Sequence, residues 1–291
     1  LQNARPVLLA ALAISAISIY GLSQVKVESS LESYFQADAP LVIANRAMEK
    51  MSGSRTINIV ITKTGEEEPW KNPDNLKVVE EFQEFLANEP RVKRTLSLVD
   101  LIKRISYAFN ENRKEFNRLP NGFEFLESEE IFEENGQTEK RTVKREISGR
   151  DLIAQYLVLY ENSGGDVLSD VVDSEYLNLN LAVTISSNST TEEEKLLQSI
   201  EDYAVRQFPQ GFSMTSSGMV PINVATSNEV VTSQIRSLSG SILAVFLMLA
   251  LIFRSVSRGL MGMIPLVFTV LFNFGVMGFF GVHLDIGTAL V

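Results

Sequence analysis

The sequence predicts an α+β domain carried by transmembrane α-helices, and three observations lead there. Charge and apolarity are segregated: the mean hydropathy is +0.08 although 21% of residues are charged. Pro6–Leu22, Leu238–Phe253 and Gly259–Val282 contain no charged residue, and each approaches or reaches the roughly 20 residues that cross a hydrocarbon core of about 30 Å. Between the first and second runs, a strand–helix–strand pattern occurs twice.

The first run makes residues 1–22 a transmembrane helix. A basic flank and a suitable length also fit a cleaved signal peptide. No small-x-small site follows the run, and both readings export the domain that comes next. Residues 23–237 form that domain, 238–253 and 259–282 the second and third spans, and 286–291 the start of a fourth. Arg5, Arg254 and Arg258 are the only basic residues outside the domain and Asp285 the only acid, out of 26 and 36 in the chain. The domain therefore holds 23 basic and 35 acidic residues, a net charge of −12. Such a surface repels nucleic acid and anionic headgroups. The three arginines share one side if every run spans, and short cytoplasmic loops favour Lys and Arg. This puts the N-terminus in the cytoplasm and the domain outside, in a multi-pass protein of the cell membrane. The chain has no Cys, which a domain of this size tolerates because it can bury its own core.

Within the domain, Thr56–Thr62 is a β-branched run with Ile57, Ile59 and Ile61 on one face. Asp74 is placed as the cap of a helix reaching Asn88, with Leu76, Val79, Phe82 and Leu86 as its buried stripe and Pro90 as its stop. Val92–Leu98 is the next strand. The second copy begins with Tyr176–Ile185, where Leu177, Leu179, Leu181, Val183 and Ile185 alternate with Asn, Ala and Thr. Thr191–Glu194 reads as a capping box. The following helix buries Leu196, Leu197, Ile200, Tyr203 and Ala204, Pro209–Gly211 ends it, and Phe212–Ser217 is a strand. Two such units combine into a four-stranded sheet with helices on one face, the ferredoxin-like arrangement. An insertion over about 100–175 separates them. In it Asp100–Phe116 reads as helix, 119–122 as a turn, Phe123–Glu134 as an acidic segment with a charged helix face, and Thr138–Arg150 as a basic segment, whose run Lys140–Arg145 pairs with the acidic one in preference to forming an anion site. Asp151–Glu161 is apolar nearly all round, so it is buried or faces lipid.

Catalytic chemistry is sparse. His283 is the only histidine, so a His/Cys metal site and a Ser–His–Asp triad lack their parts, and no Gly-rich phosphate loop occurs. Acid pairs such as Glu129/Glu130 read as a solvated face rather than acid–base machinery. No catalytic, metal or cofactor residue is assigned. Asn188-Ser-Thr190 matches a glycosylation acceptor and equally makes a turn. Asn273, in the third span, needs a hydrogen-bond partner inside a membrane. It is either helix–helix glue or the lining of a polar path. Gly275, Gly278 and Gly281 allow close helix approach. Phe123, Phe125, Phe132, Tyr156, Leu157 and Tyr160 of the insertion either line a lipid path or form the core of a docked helix.

The order of these parts resembles one half of a resistance–nodulation–division (RND) transporter, most closely the MMPL-type lipid exporters and their Patched-like relatives. The residues that carry the likeness are Ser30–Phe35 with Asp38–Pro40 after the first span and Thr215–Pro221 before the second. Leu251–Ser255, Pro265 and Gly278–Leu284 carry it through the later spans. The resemblance covers essentially the whole chain. It implies an extracytoplasmic porter domain and export of hydrophobic or lipid substrates driven by an ion gradient. It also implies acidic proton carriers in the fourth span, and as partners a membrane lipid, the C-terminal half of the same transporter and a homo-oligomer. The alternative is a non-transporting receptor or scaffold that binds lipid or protein through its outer domain. An ectoenzyme is the third reading, disfavoured by the missing nucleophile, metal and cofactor signatures.

Overall fold

The computed structural model describes residues 4–25, 35–36, 38–134, 137–187, 189–284 and 288, with side chains placed outside 4–8, 10, 125–134 and 137–144. The chain divides into two compact units, one of residues 44–187 and 195–221, the other of 1–43, 188–194 and 222–291.

The first of these is α+β. Strands β1 (Arg55–Lys63), β2 (Val92–Leu96), β5 (Asn178–Ile185) and β6 (Phe212–Ser217) form one sheet in the order β2-β5-β1-β6, with every neighbour antiparallel. Each strand–helix–strand unit is thus split by a strand of the other. β5 lies between β1 and β2, and β1 lies between β5 and β6. Period-two patterning produces the register. Ile57, Ile59 and Ile61 sit opposite Val183, Leu181 and Leu179, and all six are fully buried. The opposite face is half-buried and largely polar, with Thr62 Oγ1 donating to Asn178 Oδ1 at 2.7 Å.

The connecting helices are α3 (Pro73–Ala87) and α7 (Thr190–Gln207). They bury Leu76, Val79, Phe82 and Leu86, and Leu196, Leu197 and Ile200, respectively. A ladder of rings joins them: Phe85–Tyr203 at 4.3 Å, Phe82–Tyr203 at 5.1 Å, Phe82–Phe208 at 5.4 Å and Phe208–Phe212 at 6.0 Å between centroids. Trp70, fully buried, continues it to Phe212 at 6.1 Å. Two expected caps move. The cap of α3 is Asn72, whose Oδ1 accepts from the Asp74 N–H at 3.0 Å. It precedes Pro73, which sets the first helical φ without needing a hydrogen bond. In α7 the Glu192 N–H donates to Ser189 Oγ at 3.3 Å, so the helix starts ahead of Thr191.

In the insertion, α4 (Leu98–Phe109) starts at a capping box between Ser97 and Asp100. It is shorter than expected because Glu111 and Asn112 adopt left-handed φ of 55° and 59°, and only a single 3₁₀ turn follows at Lys114–Phe116. Phe123–Glu134 is not a segment with a helix face. It is β3, paired antiparallel with β4 (Gln137–Ser148) along its whole length. The acidic and basic segments do run side by side, with Glu127 opposite Lys144 and Glu130 opposite Arg141. α5 (Gly149–Asn162) follows, then α6 (Leu168–Val171). α5 is buried on one side only: Leu152, Ile153, Tyr156 and Leu157 are buried, while the apolar Val158 and Leu159 on the other side are exposed.

In the other unit, α1 (Ala4–Leu22), α8 (Met219–Phe253) and α9 (Val256–Phe280) dominate. α2 (Pro40–Ser52) begins in this unit and ends in the sheet unit. α8 and α9 are long and apolar enough to cross a membrane, with mean hydropathy 2.1 and 2.0. Their most apolar stretches are 0% and 11% buried, unlike the mostly buried core helices of soluble proteins. α8 is unbroken through residue 237, where the sequence suggested a boundary. At 1.5 Å per residue its length is about 52 Å, more than a bilayer core requires. α1 contains a shorter apolar helix, Ala11–Leu22. The α8–α9 turn uses a left-handed Arg254, φ 47°. Gly281, φ 65°, caps the end of α9.

Candidate functional site

Of the residues expected to line a lipid path, those with described side chains do not form one group. Tyr156 and Leu157 are 7% and 0% exposed. Tyr156 packs with Ile105 and Leu152, and Leu101, Ile147 and Tyr160 flank them. Its ring stacks on Phe109 at 5.9 Å. The Tyr160 ring lies so close to Gly165 that a Cβ there would fall 2.1 Å from it. Phe123 is 68% exposed at the start of β3. The side chains of Phe125 and Phe132 lie outside those described, as does Asn188. Beside Tyr156, a cavity of about 30 Å³ is lined by Asn110, Phe116, Arg118, Glu124 and Leu152. That space suits a water molecule and not an acyl chain. Arg118 closes it with a two-point ion pair to Glu124 at 2.7 and 3.0 Å, and these bonds raise the guanidinium pKa.

A second cluster ties the insertion to the sheet. Glu66 accepts from Asn72 Nδ2 and Asn75 Nδ2, both at 2.8 Å, and from Arg150 at 3.2 Å. Burial pushes its pKa up, but these bonds and the charges of Arg150 and Lys63 outweigh it and hold the carboxyl below its ordinary value. Nearby, the Trp70 indole N–H donates to the Leu177 carbonyl at 3.0 Å. Tyr176 adopts a left-handed φ of 53°, with Lys71 Nζ 4.3 Å from its ring centroid. Its hydroxyl meets Glu161 at 3.4 Å. Burial, and then the charges of Glu161 and Glu68, push its pKa up to about 12. Glu161, Asp166, Asp173 and Tyr176 line an open cleft of about 480 Å³. Among the described residues no group of three or more His, Cys, Asp or Glu side chains is arranged to hold a metal ion.

The closest contact of the apolar helices is between α1 and α9. A Cβ on Gly278 would fall 1.7 Å from the Gly21 carbonyl oxygen, and one on Gly275 would fall 2.6 Å from Ser18 Cα. Ser18 is 5% exposed, and Tyr20 reaches Phe279 at 6.1 Å between centroids. The two backbones touch because no side chain separates them. Ser18 faces Gly275 and Gly21 faces Gly278, so both helices run in the same direction. Of the three expected glycines, two build this contact, whereas Gly281 ends the helix. Asn273, two residues from Gly275 on α9, is exposed, whereas Gly275 is buried. Ser18 and Gly21, the other half of the contact, were not singled out from the sequence. Their signal was the three-residue spacing of Ser15, Ser18 and Gly21.

Compared with known proteins, the sequence matches no family model and no curated protein.

Proposed function

We propose that the chain is the N-terminal half of an RND-type, ion-gradient-driven exporter of hydrophobic or lipid substrates. In this reading α1, α8 and α9 are its first three membrane spans and the sheet unit its extracytoplasmic porter domain, in a multi-pass protein of the cell membrane. The observation that carries the reading is the chain order: apolar helix, interleaved pair of strand–helix–strand units, two long apolar helices. The direction of the helices supports it, since the first and third of three alternating crossings must run the same way. Arg5, Arg254 and Arg258 then lie in the cytoplasm. The C-terminal half of the transporter and a membrane lipid are the expected partners.

The test is reconstitution of the complete transporter in lipid vesicles with an imposed proton gradient. The reading expects gradient-dependent movement of a fluorescent lipid, lost when the acidic residue expected in the fourth span is neutralised. Lipid binding without gradient-dependent movement would instead favour the receptor or scaffold reading.

A further inference from the structure

The arm formed by β3 and β4 has no part in that proposal, and it is incomplete as a sheet. Each strand has twelve residues, about 40 Å at 3.4 Å per residue. Among the described residues the two strands pair only with each other, so both outer edges are open. A two-stranded ribbon alone is marginally stable, and an open edge is a template for another strand.

The charges on this ribbon are sorted by strand. β3 carries Glu124, Glu127, Glu129, Glu130, Glu133 and Glu134 and no basic residue. β4 carries Lys140, Arg141, Lys144 and Arg145 against only Glu139 and Glu146. One edge of the ribbon is therefore acidic and the other basic. Two β3 edges brought together repel, as do two β4 edges. A β3 edge beside a β4 edge attracts, because side chains opposite each other on paired strands lie about 4.5–5.5 Å apart. The complement to each edge is present on the ribbon itself.

We propose that the arm is a self-association element, in which the β3 edge of one copy docks beside the β4 edge of a second copy of this chain. The contact joins two different surfaces, so it propagates head to tail and closes into a ring or extends, instead of forming a two-fold dimer. It rests on the ribbon alone and stands whether or not the chain transports anything.

The test uses the full chain in detergent, with mass measured by light scattering. One variant reverses a single strand, E127K/E129K/E130K. A second adds K140E/R141E/K144E, which restores the Glu127–Lys144 and Glu130–Arg141 positions as opposite charges in swapped order. Wild type and the six-fold variant each associate with themselves, and the three-fold variant does so at least about tenfold more weakly. Differently tagged wild-type and six-fold chains do not co-purify through this contact, since at the reversed positions the β3 edge of either chain then meets like charges on the β4 edge of the other. A monomeric wild type overturns the proposal. So does an assembly in which wild-type and six-fold chains mix freely, which would place the contact elsewhere. The six-fold variant guards against a misfolded three-fold variant being read as support.

Discussion

Glu66 is the residue on which a loop, the cap of α3 and the insertion converge, through Asn72, Asn75 and Arg150. Its pKa is lower in the folded chain than the ordinary 4.5. The ionised form is therefore the one folding favours. Its contribution is complete above pH 4.5 and disappears as the pH falls through the folded value. Glu66→Gln is expected to cost about 1.5–3 kcal/mol at neutral pH, the range for hydrogen bonds to a charged group, and to flatten the fall in stability below pH 4.5. Trp70, the only tryptophan and buried beside this loop, reports unfolding by its fluorescence in denaturant. An unaltered acid slope would show that Glu66 does not carry the linkage. Tyr176 is the opposite case, with the neutral form favoured up to about pH 12. The stability it brings is complete below pH 10 and lost as the pH rises from there through about 12. Glu161→Gln removes the nearest negative charge, so the phenol is expected to ionise at lower pH, read from tyrosinate absorbance. A titration unmoved by the substitution would leave burial and the charge of Glu68 as the causes.

At the scale of elements, the contact between α1 and α9 depends on three missing side chains and one small one. A leucine at Gly278 must push the helices apart, since even a Cβ would overlap the Gly21 backbone. The chain has no cysteine, so Tyr20→Cys with Phe279→Cys gives a single reporter of this contact. Oxidation is expected to join the pair, and adding Gly278→Leu is expected to abolish the cross-link while leaving helix content intact. Cross-linking at an unchanged rate would mean the glycines are incidental. The same contrast explains which elements were legible beforehand. The repeated strand–helix–strand showed because Ile57–Ile61 and Leu177–Ile185 alternate cleanly and both helices have a one-sided apolar stripe. The interleaving of the four strands carries no local mark; it comes from which buried faces meet. The β3–β4 arm was misjudged for a different reason. Its run of glutamates resembles a solvated helix face, and its apolar residues are too few to impose a period. The one strong mark, Asn135-Gly136 between two twelve-residue stretches, is the preferred two-residue hairpin sequence, and it outweighs composition. Tyr156 and Leu157 were recognisable as apolar, but only the packing of Ile105 and Leu152 against Tyr156 makes that position core.

At the scale of the whole molecule, charge is partitioned more sharply than fold. Nearly all of it lies in residues 23–237, with a net of −12, and the long apolar helices leave Leu243, Leu251, Ile252, Leu260, Met261 and Ile264 more than half exposed. Exposed apolar helices of this length have the length and composition to cross a membrane, which fits the proposed topology. Under the proposed topology the turn at Ser255 and the end of α5 at Ser163 face opposite sides. Single cysteines placed there, in intact cells of an expression host, should react differently with a thiol reagent that cannot cross the membrane. Ser163→Cys is expected to be labelled from outside. Ser255→Cys is expected to stay unlabelled until the membrane is opened. Arg254→Glu with Arg258→Glu removes the basic residues that, on that topology, hold the turn inside. A cytoplasmic excess of Lys and Arg sets orientation, while added acids have little effect of their own. Loss of the two arginines should therefore expose position 255 in a fraction of molecules rather than invert them all, because Arg5 still anchors the first span. Labelling of Ser255→Cys from outside in the otherwise unchanged chain would reverse the orientation and remove the exporter reading with it. The partial shift in the arginine variant separates an orientation set by charge from one set by the bulk of the acidic domain.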